Sequence, residues 1–207
     1  MYSEDIYAAL TDDEVFADLP QRLADLTGGR SAAIYWRHPC GDGEVFAHSY
    51  FSDEQIQTYV GSYAPQSPWH QAALKPGRIN RLWHISQDVA DRAVLASDVW
   101  NEWIRPNGDD TFYTIGGVFD TAWGRGSVGI NRGRSQSEFD DTAVGRLVQV
   151  GGDLQRMLAI RGELAARRRE CGVLRATLDT LGYAALHVRA DGRVLALNAA
   201  AEGLLRR

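Results

Sequence analysis

Gly124-Arg-Gly-Ser-Val-Gly129 has the GxGxxG spacing with which a strand-to-helix turn cradles a dinucleotide pyrophosphate. That chemistry needs a strand before the glycines, a helix after them and an acid about 20 residues further on. Here the residues that follow, Ser127 to Arg132, alternate as a strand does, which puts the glycines in a hairpin turn and implies no cofactor. The five histidines, His38, His48, His70, His84 and His187, show no metal-ligand spacing with one another or with cysteine. His38 with Cys40 makes two ligands at most, so no metal site is expected. There is no GxSxG elbow and no clear Cys–His pair to furnish a nucleophile. Cys40 and Cys171 read as isolated thiols of a reducing compartment. The acid pairs Asp12-Asp13, Asp109-Asp110 and Asp140-Asp141 read as solvated helix caps. No catalytic set emerges, and an enzyme is not expected.

The feature with chemical content is aromatic density. Of 20 Phe, Trp and Tyr residues, 19 precede residue 140, so the N-terminal part must either bury them in a core or line a pocket with them. Trp and Tyr carry polar tips that orient a small molecule inside an apolar cavity. On that reading Tyr35, Tyr50, Tyr59, Tyr63, Trp69 and Trp103 are the candidate ligand-binding residues.

These residues need a scaffold, and composition bounds it. Apolar residues are 44% and charged residues 24% of 207, ordinary for a globular chain of one domain plus something smaller. Apolar runs are too short to cross a bilayer, and the acidic N-terminus is unlike a secretory signal, so a cytoplasmic location is expected. Residues 1–135 carry 18 acids against 11 bases, which disfavours nucleic-acid binding there; residues 136–207 carry 9 against 11.

Val15, Phe16, Leu19, Leu23 and Leu26 recur at helical spacing over 13–26, with Pro20 marking a break or a first turn. SAAIYWR (31–37) and GEVFAHSY (43–50) read as a hairpin across His38–Gly43. Ser52 and Gln55 form a capping box ahead of the stripe Ile56, Tyr59, Val60, Tyr63. A helix capped by Ser97 runs to Ile104 and stops at Pro106 and Gly108. Residues 111–120 and 127–132 make a second hairpin through 121–126. Two hairpins among helices predict an α+β fold: an antiparallel sheet with flanking helices, the layout of GAF and PAS-like sensor domains.

From Ser135, whose spacing to Glu138 offers another capping box, no proline appears through Thr180. Met157, Ile160, Leu164, Cys171, Leu174 and Leu178, with polar Arg167 among them, follow a heptad-like seam. The spacing predicts a long helix of about 40 residues, about 60 Å, that pairs in parallel with a second copy. The Arg167-Arg168-Arg169 run reads as its solvated face. Beyond it, 184–189 and 194–197 read as strands about an Asp191-Gly192 turn, followed by a helix start from Asn198. The expected partition is a sensor over 1–135, a signalling helix over 136–180 and the beginning of a further, incomplete domain over 181–207.

Several stretches resemble LuxR-type bacterial transcription regulators. They are Asp18-Leu-Pro-Gln-Arg-Leu-Ala-Asp-Leu-Thr-Gly-Gly-Arg-Ser-Ala-Ala, Tyr59-Val-Gly-Ser-Tyr63-Ala-Pro-Gln-Ser-Pro68-Trp69, and Ser97-Asp-Val-Trp-Asn-Glu-Trp-Ile-Arg-Pro-Asn-Gly108. Leu178-Asp-Thr-Leu-Gly with Asp191-Gly-Arg-Val-Leu-Ala-Leu-Asn198-Ala-Ala-Ala-Glu looks like the start of a PAS domain. The resemblance implies a GAF-like sensor, a signalling helix, a PAS domain and a C-terminal helix-turn-helix that reads DNA. That last part is absent from this chain, so specific DNA binding is not expected of it. Acyl-homoserine-lactone receptors of the family carry an Asp before the loop proline, where Ser67 stands here; lactone recognition is therefore not implied. The expectation is a dimeric sensory region that binds a small ligand. Its alternatives are a ligand-free structural dimerisation module and the input domain of another PAS-containing signalling protein.

Overall fold

The Asp12 carboxylate accepts the backbone N–H groups of Glu14 and Val15 and so starts α2 (Asp13–Thr27), which follows the short α1 (Ser3–Ala8). Gly28, in the left-handed conformation at φ 69°, ends it. The computed structural model describes residues 3–41, 44–180 and 182–205. Pro20 does not break α2. It removes one helical N–H, and the buried stripe of Phe16, Leu19, Leu23 and Ala24 offsets that loss.

Five antiparallel strands follow in the order β2-β1-β5-β4-β3: β1 (Ser31–Arg37), β2 (Glu44–His48), β3 (Trp83–His84), β4 (Thr111–Thr121) and β5 (Gly124–Gly133). The α+β class and both hairpins are as the sequence indicates; the two-residue β3 is an addition to them. The candidate Tyr50 falls past the end of β2, and Gly43 lies outside the described residues. The GxGxxG glycines sit within β5, the turn being Ala122–Trp123. A Cβ on Gly126 would stand 2.5 Å from the Trp36 ring, and one on Gly124 would stand 2.7 Å from Trp36 Nε1. These two glycines make room for an indole, not a phosphate.

Strand alternation divides the sheet into two faces. Ala32, Ile34, Trp36, Val45, Ala47, Ile115, Phe119, Val128 and Ile130 face α1, α2 and α6 (Asp141–Thr180) in one core. The other face meets a layer of short helical segments. These are α3 (Asp53–Thr58), a wide π turn over Tyr59–Tyr63, α4 (Pro68–Ala73), α5 (Asp91–Leu95) and a second π turn over Val99–Ile104. The Ser52–Gln55 capping box forms in both directions. Ser97 Oγ accepts the Trp100 N–H at 3.3 Å, but the helix it opens takes the wider π form and closes at Gly108.

α6 is 40 residues long, about 60 Å at 1.5 Å per residue. Its cap is Asp140, whose Oδ1 accepts the Ala143 N–H at 2.9 Å. The Ser135–Glu138 capping box does not form, because Asp110 takes the Ser135 N–H at 2.8 Å. Asp109-Asp110 is likewise no solvated cap. Arg30 clamps both carboxylates, with contacts of 3.1 and 2.5 Å. From Ala143 to Ala166, α6 buries one face in the first core, so these residues share it with 1–135. Every residue from Arg167 to Thr180 is exposed.

Past α6, β6 (Leu186–Val188) and β7 (Val194–Leu197) form a separate antiparallel pair, followed by α7 (Ala199–Leu205). Among the described residues no helix is long and apolar enough to cross a membrane.

Candidate ligand cavity

Between the second face of the sheet and the helical layer lies a cavity of about 300 Å³. Its floor is legible in the registers. Thr114, Asn131 and Ser31 lie side by side across β4, β5 and β1; so do Gly116, Gly129 and Ala33, and next Val118, Ser127 and Tyr35. The middle row is almost bare of side chains. A Cβ on Gly129 would meet nothing within 4 Å. Small residues on this face, with Ile34, Val128 and Ile130 on the other, leave the space open.

Its roof is aromatic and aliphatic. Trp103 packs against Phe51 and Tyr59, with ring centroids 4.8 and 4.9 Å apart, and Trp69, Ile56, Ile85 and Val99 complete it. Both indole N–H groups are already spent. Trp69 Nε1 donates to the Phe112 carbonyl at 3.1 Å and Trp103 Nε1 to the Gln55 carbonyl at 3.0 Å. The tryptophans therefore offer ring surface to the cavity rather than the polar tips expected of them.

Polarity is concentrated in the first floor row. Thr114 Oγ1 donates to Asn131 Oδ1 at 2.9 Å, and Asn131 Nδ2 donates to Ser31 Oγ at 3.2 Å. Among the described residues, no Asp, Glu, Lys or Arg lines the cavity. Burial pushes the His70 imidazole down, towards its neutral form. Burial also pushes the Tyr59 hydroxyl up, an effect the neighbouring Ser67 hydroxyl partly offsets. Ser67 is fully buried beside it.

Of the six candidate residues, Tyr35, Tyr59, Trp69 and Trp103 line the cavity; Tyr50 and Tyr63 do not. Tyr50 adopts φ 77° just beyond β2, which turns its ring outward beneath the Arg30 guanidinium, and it is 56% exposed. Tyr63 ends the first π turn and donates its hydroxyl to Glu102 Oε2 at 3.3 Å on the surface. The residues not singled out in advance are Phe46, Phe51, Ile56 and the polar row around Asn131. Their signal was the alternation of Ser31, Ala33, Tyr35 with Ala32, Ile34, Trp36, which assigns small and polar side chains to one face.

The seam assigned to α6 divides. Met157 is 0% exposed and packs in its own chain's core, so it is not available to a partner. Ile160, Leu164, Cys171, Leu174 and Leu178 are exposed. Arg167 is held by Glu163 at 2.8 Å and Glu170 at 3.3 Å.

No protein-family model and no curated protein matches the chain. Solved structures do. One is the VqsR ligand-binding domain from Pseudomonas aeruginosa, at 13% identity and a TM-score of 0.54, over 75% of this chain and 91% of that one. Another is the N-acylhomoserine-lactone-dependent LuxR-family transcription factor CepR2 from Burkholderia cenocepacia, at 19% identity and a TM-score of 0.46, over 75% and 89%. What this chain shares with the first of these is its fold.

Proposed function

We propose that this chain is the signal-sensing and dimerisation region of a LuxR-type transcription regulator. In this reading a small, uncharged, largely apolar molecule binds between the sheet and the aromatic roof. α6 pairs with a second copy and relays the bound state, past a PAS-like unit beginning near residue 181, to a DNA-reading output.

The observation that carries the reading is the cavity itself. A domain serving only as a dimerisation block has no use for a bare Gly129–Ala33 floor under an aromatic roof. The space is about ten waters' worth of liquid volume, at the lower end of ligand pockets. Among the described residues it holds no charge to pair with an ionised ligand, and stripping water from an unpaired charge is costly. The relay has a route through the sheet. Ala33 and Gly129 face the ligand, while their neighbours Ile34, Val128 and Ile130 pack in the core that contains α6. A ligand that shifts these strands changes what α6 rests on, which is the differential contact a population shift requires.

The test is the thermal midpoint of the chain in the presence of benzene, indole and naphthalene, with benzoate as the ionised counterpart. At about 100-fold excess over the dissociation constant, a neutral probe adds about 2.7 kcal/mol, or about 5–10 °C for a chain of this size. Benzoate leaves the midpoint where it is. If no neutral probe moves the midpoint, or if benzoate moves it as far as benzene does, the reading fails.

A further inference from the structure

The turn from β1 to β2 holds a second chemical site, on the side of the sheet away from the cavity. The sequence shows no clear Cys–His pair, because a spacing of two residues in a turn says little about side-chain direction. The fold supplies the direction. His38 Nδ1 lies 2.8 Å from Cys40 Sγ, and His38 Nε2 lies 2.8 Å from Glu163 Oε2 on α6. The imidazole is mostly covered, whereas Cys40 is exposed.

The three groups stand in the order nucleophile, base, orienting carboxylate. Glu163 is held well into its ionised form, first by the hydrogen bond from Arg167 and then by His38. An ionised carboxylate accepts and does not donate, so the Nε2 position carries the proton. In the neutral ring Nδ1 then carries the lone pair, which lies 2.8 Å from the thiol and also accepts the Cys40 backbone N–H at 3.4 Å. This is the tautomer needed to take a proton from sulfur.

We propose that Cys40 is a reactive thiol which hydroperoxides oxidise to a sulfenic acid, with His38 as its base and Glu163 as the residue that positions the base. A sulfur lone pair attacks one peroxide oxygen. The S–O bond forms as the O–O bond breaks. The thiol proton passes to His38 Nδ1 and then to the departing oxygen, which leaves as water from hydrogen peroxide or as an alcohol from an organic hydroperoxide. Sulfur loses two electrons and the peroxide gains them. A hydroperoxide fits because Cys40 is exposed, and so small a reactant reaches it without a binding cleft. The product stays at the sulfenic acid until an external thiol reaches it. Cys171, the other thiol, stands eight residues beyond Glu163 on α6, about 12 Å along the helix. Glu163 lies three residues before Ala166, where α6 leaves the core, so the state of Cys40 is felt where the helix becomes free.

The experiment treats the reduced full chain with hydrogen peroxide in competition with free N-acetylcysteine. Sulfenic acid is trapped with a 1,3-dione and counted at each cysteine by mass spectrometry. Free N-acetylcysteine is the reference because a partner helix would cover Cys171. Cys40 is expected to react roughly tenfold or more faster than the free thiol. His38→Gln brings it down to the free-thiol rate with the circular dichroism spectrum unchanged. Glu163→Ala slows Cys40, and Glu163→Gln, whose amide oxygen still accepts from Nε2, restores most of the rate. A wild-type Cys40 no faster than N-acetylcysteine overturns the proposal without recourse to any variant, as does a Cys40 rate indifferent to His38→Gln.

Discussion

Ala33 on β1 stands directly opposite Gly129 on β5, and the two leave the centre of the sheet nearly bare on its cavity face. Gly116, the next residue across, is a glycine for a different reason. At φ 148° its Cβ would lie 2.0 Å from the Val128 carbonyl oxygen, so no side chain fits there. Gly129 carries no such constraint and looks into open space.

That contrast gives the first prediction. Gly129→Leu fills the cavity, gains apolar burial and removes a glycine from a strand interior. The expected result is stabilisation of about 1–2 kcal/mol, a rise of about 2–8 °C in the unfolding midpoint, together with loss of the response to benzene and indole. Differential scanning calorimetry with and without probe reads both effects. A variant destabilised by more than about 1 kcal/mol would mean that the floor is not open at Gly129.

The second prediction concerns the exposed part of α6. Leu174 and Leu178 are 58% and 42% exposed. In a parallel pair Cys171 of each copy meets Cys171 of the other, so mild oxidation yields a disulfide-linked dimer on a non-reducing gel. Leu174→Ala weakens association by about 2–4 kcal/mol, a factor of about 30 to 1,000 in Kd by sedimentation equilibrium. A chain that sediments as a monomer at micromolar concentration, with no Cys171 cross-link, rules this pairing out.

Asp110 provides the third prediction. Its hydrogen bond with Ser135 and its contact with Arg30 hold the carboxyl down at about 2, against 3.8 unperturbed. A depressed acid stabilises the fold above its unfolded value and loses that contribution as pH falls through the folded one. Stability therefore drops between about pH 4 and pH 2. Asp110 is one-third exposed, so the contribution is discounted to about 1–2 kcal/mol. Asp110→Asn is expected to lose that amount at pH 7 and to flatten the curve between pH 4 and pH 2, as measured by urea unfolding. A variant whose curve parallels the wild type across that range removes the assignment.

The sheet and the long helix were legible because each rests on periodicity. Two-residue alternation marked β1 and β5, and an uninterrupted proline-free stretch marked α6. Pro20 is misleading in the sequence because local propensity takes no account of the buried stripe around it. Tyr50 and Tyr63 misled because residue type says aromatic, whereas backbone conformation decides where the ring points. One sits in a left-handed residue and the other at the end of a π turn, and neither leaves a trace in apolar spacing. Met157 matched the heptad and the core stripe equally well; only the packing of α1 and α2 on that helix separates the two. The Arg30–Asp109–Asp110 clamp joins positions about 80 apart, and no local pattern announces it.

Asn198 yields the last prediction. It is 2% exposed and its side chain makes four hydrogen bonds. Nδ2 donates to the carbonyls of Leu178 and Tyr183, and Oδ1 accepts the N–H groups of Ala185 and Ala201. One amide thus ties the last turn of α6 to the β6–β7 hairpin and caps α7. Asn198→Ala leaves those backbone groups unpaired, at about 1–3 kcal/mol. The expected consequence is local: amide hydrogen exchange over 184–205 speeds up about 10- to 100-fold, while exchange in β1, β4 and β5 is unchanged. Asn198→Asp keeps the acceptor but loses both donated bonds, so it should fall between the two. If exchange over 184–205 is the same in the alanine variant as in the wild type, Asn198 is not what fastens the hairpin to α6. If instead the whole sheet exchanges faster, the hairpin and the sensor unfold as one unit, and α6 transmits stability in both directions along its length.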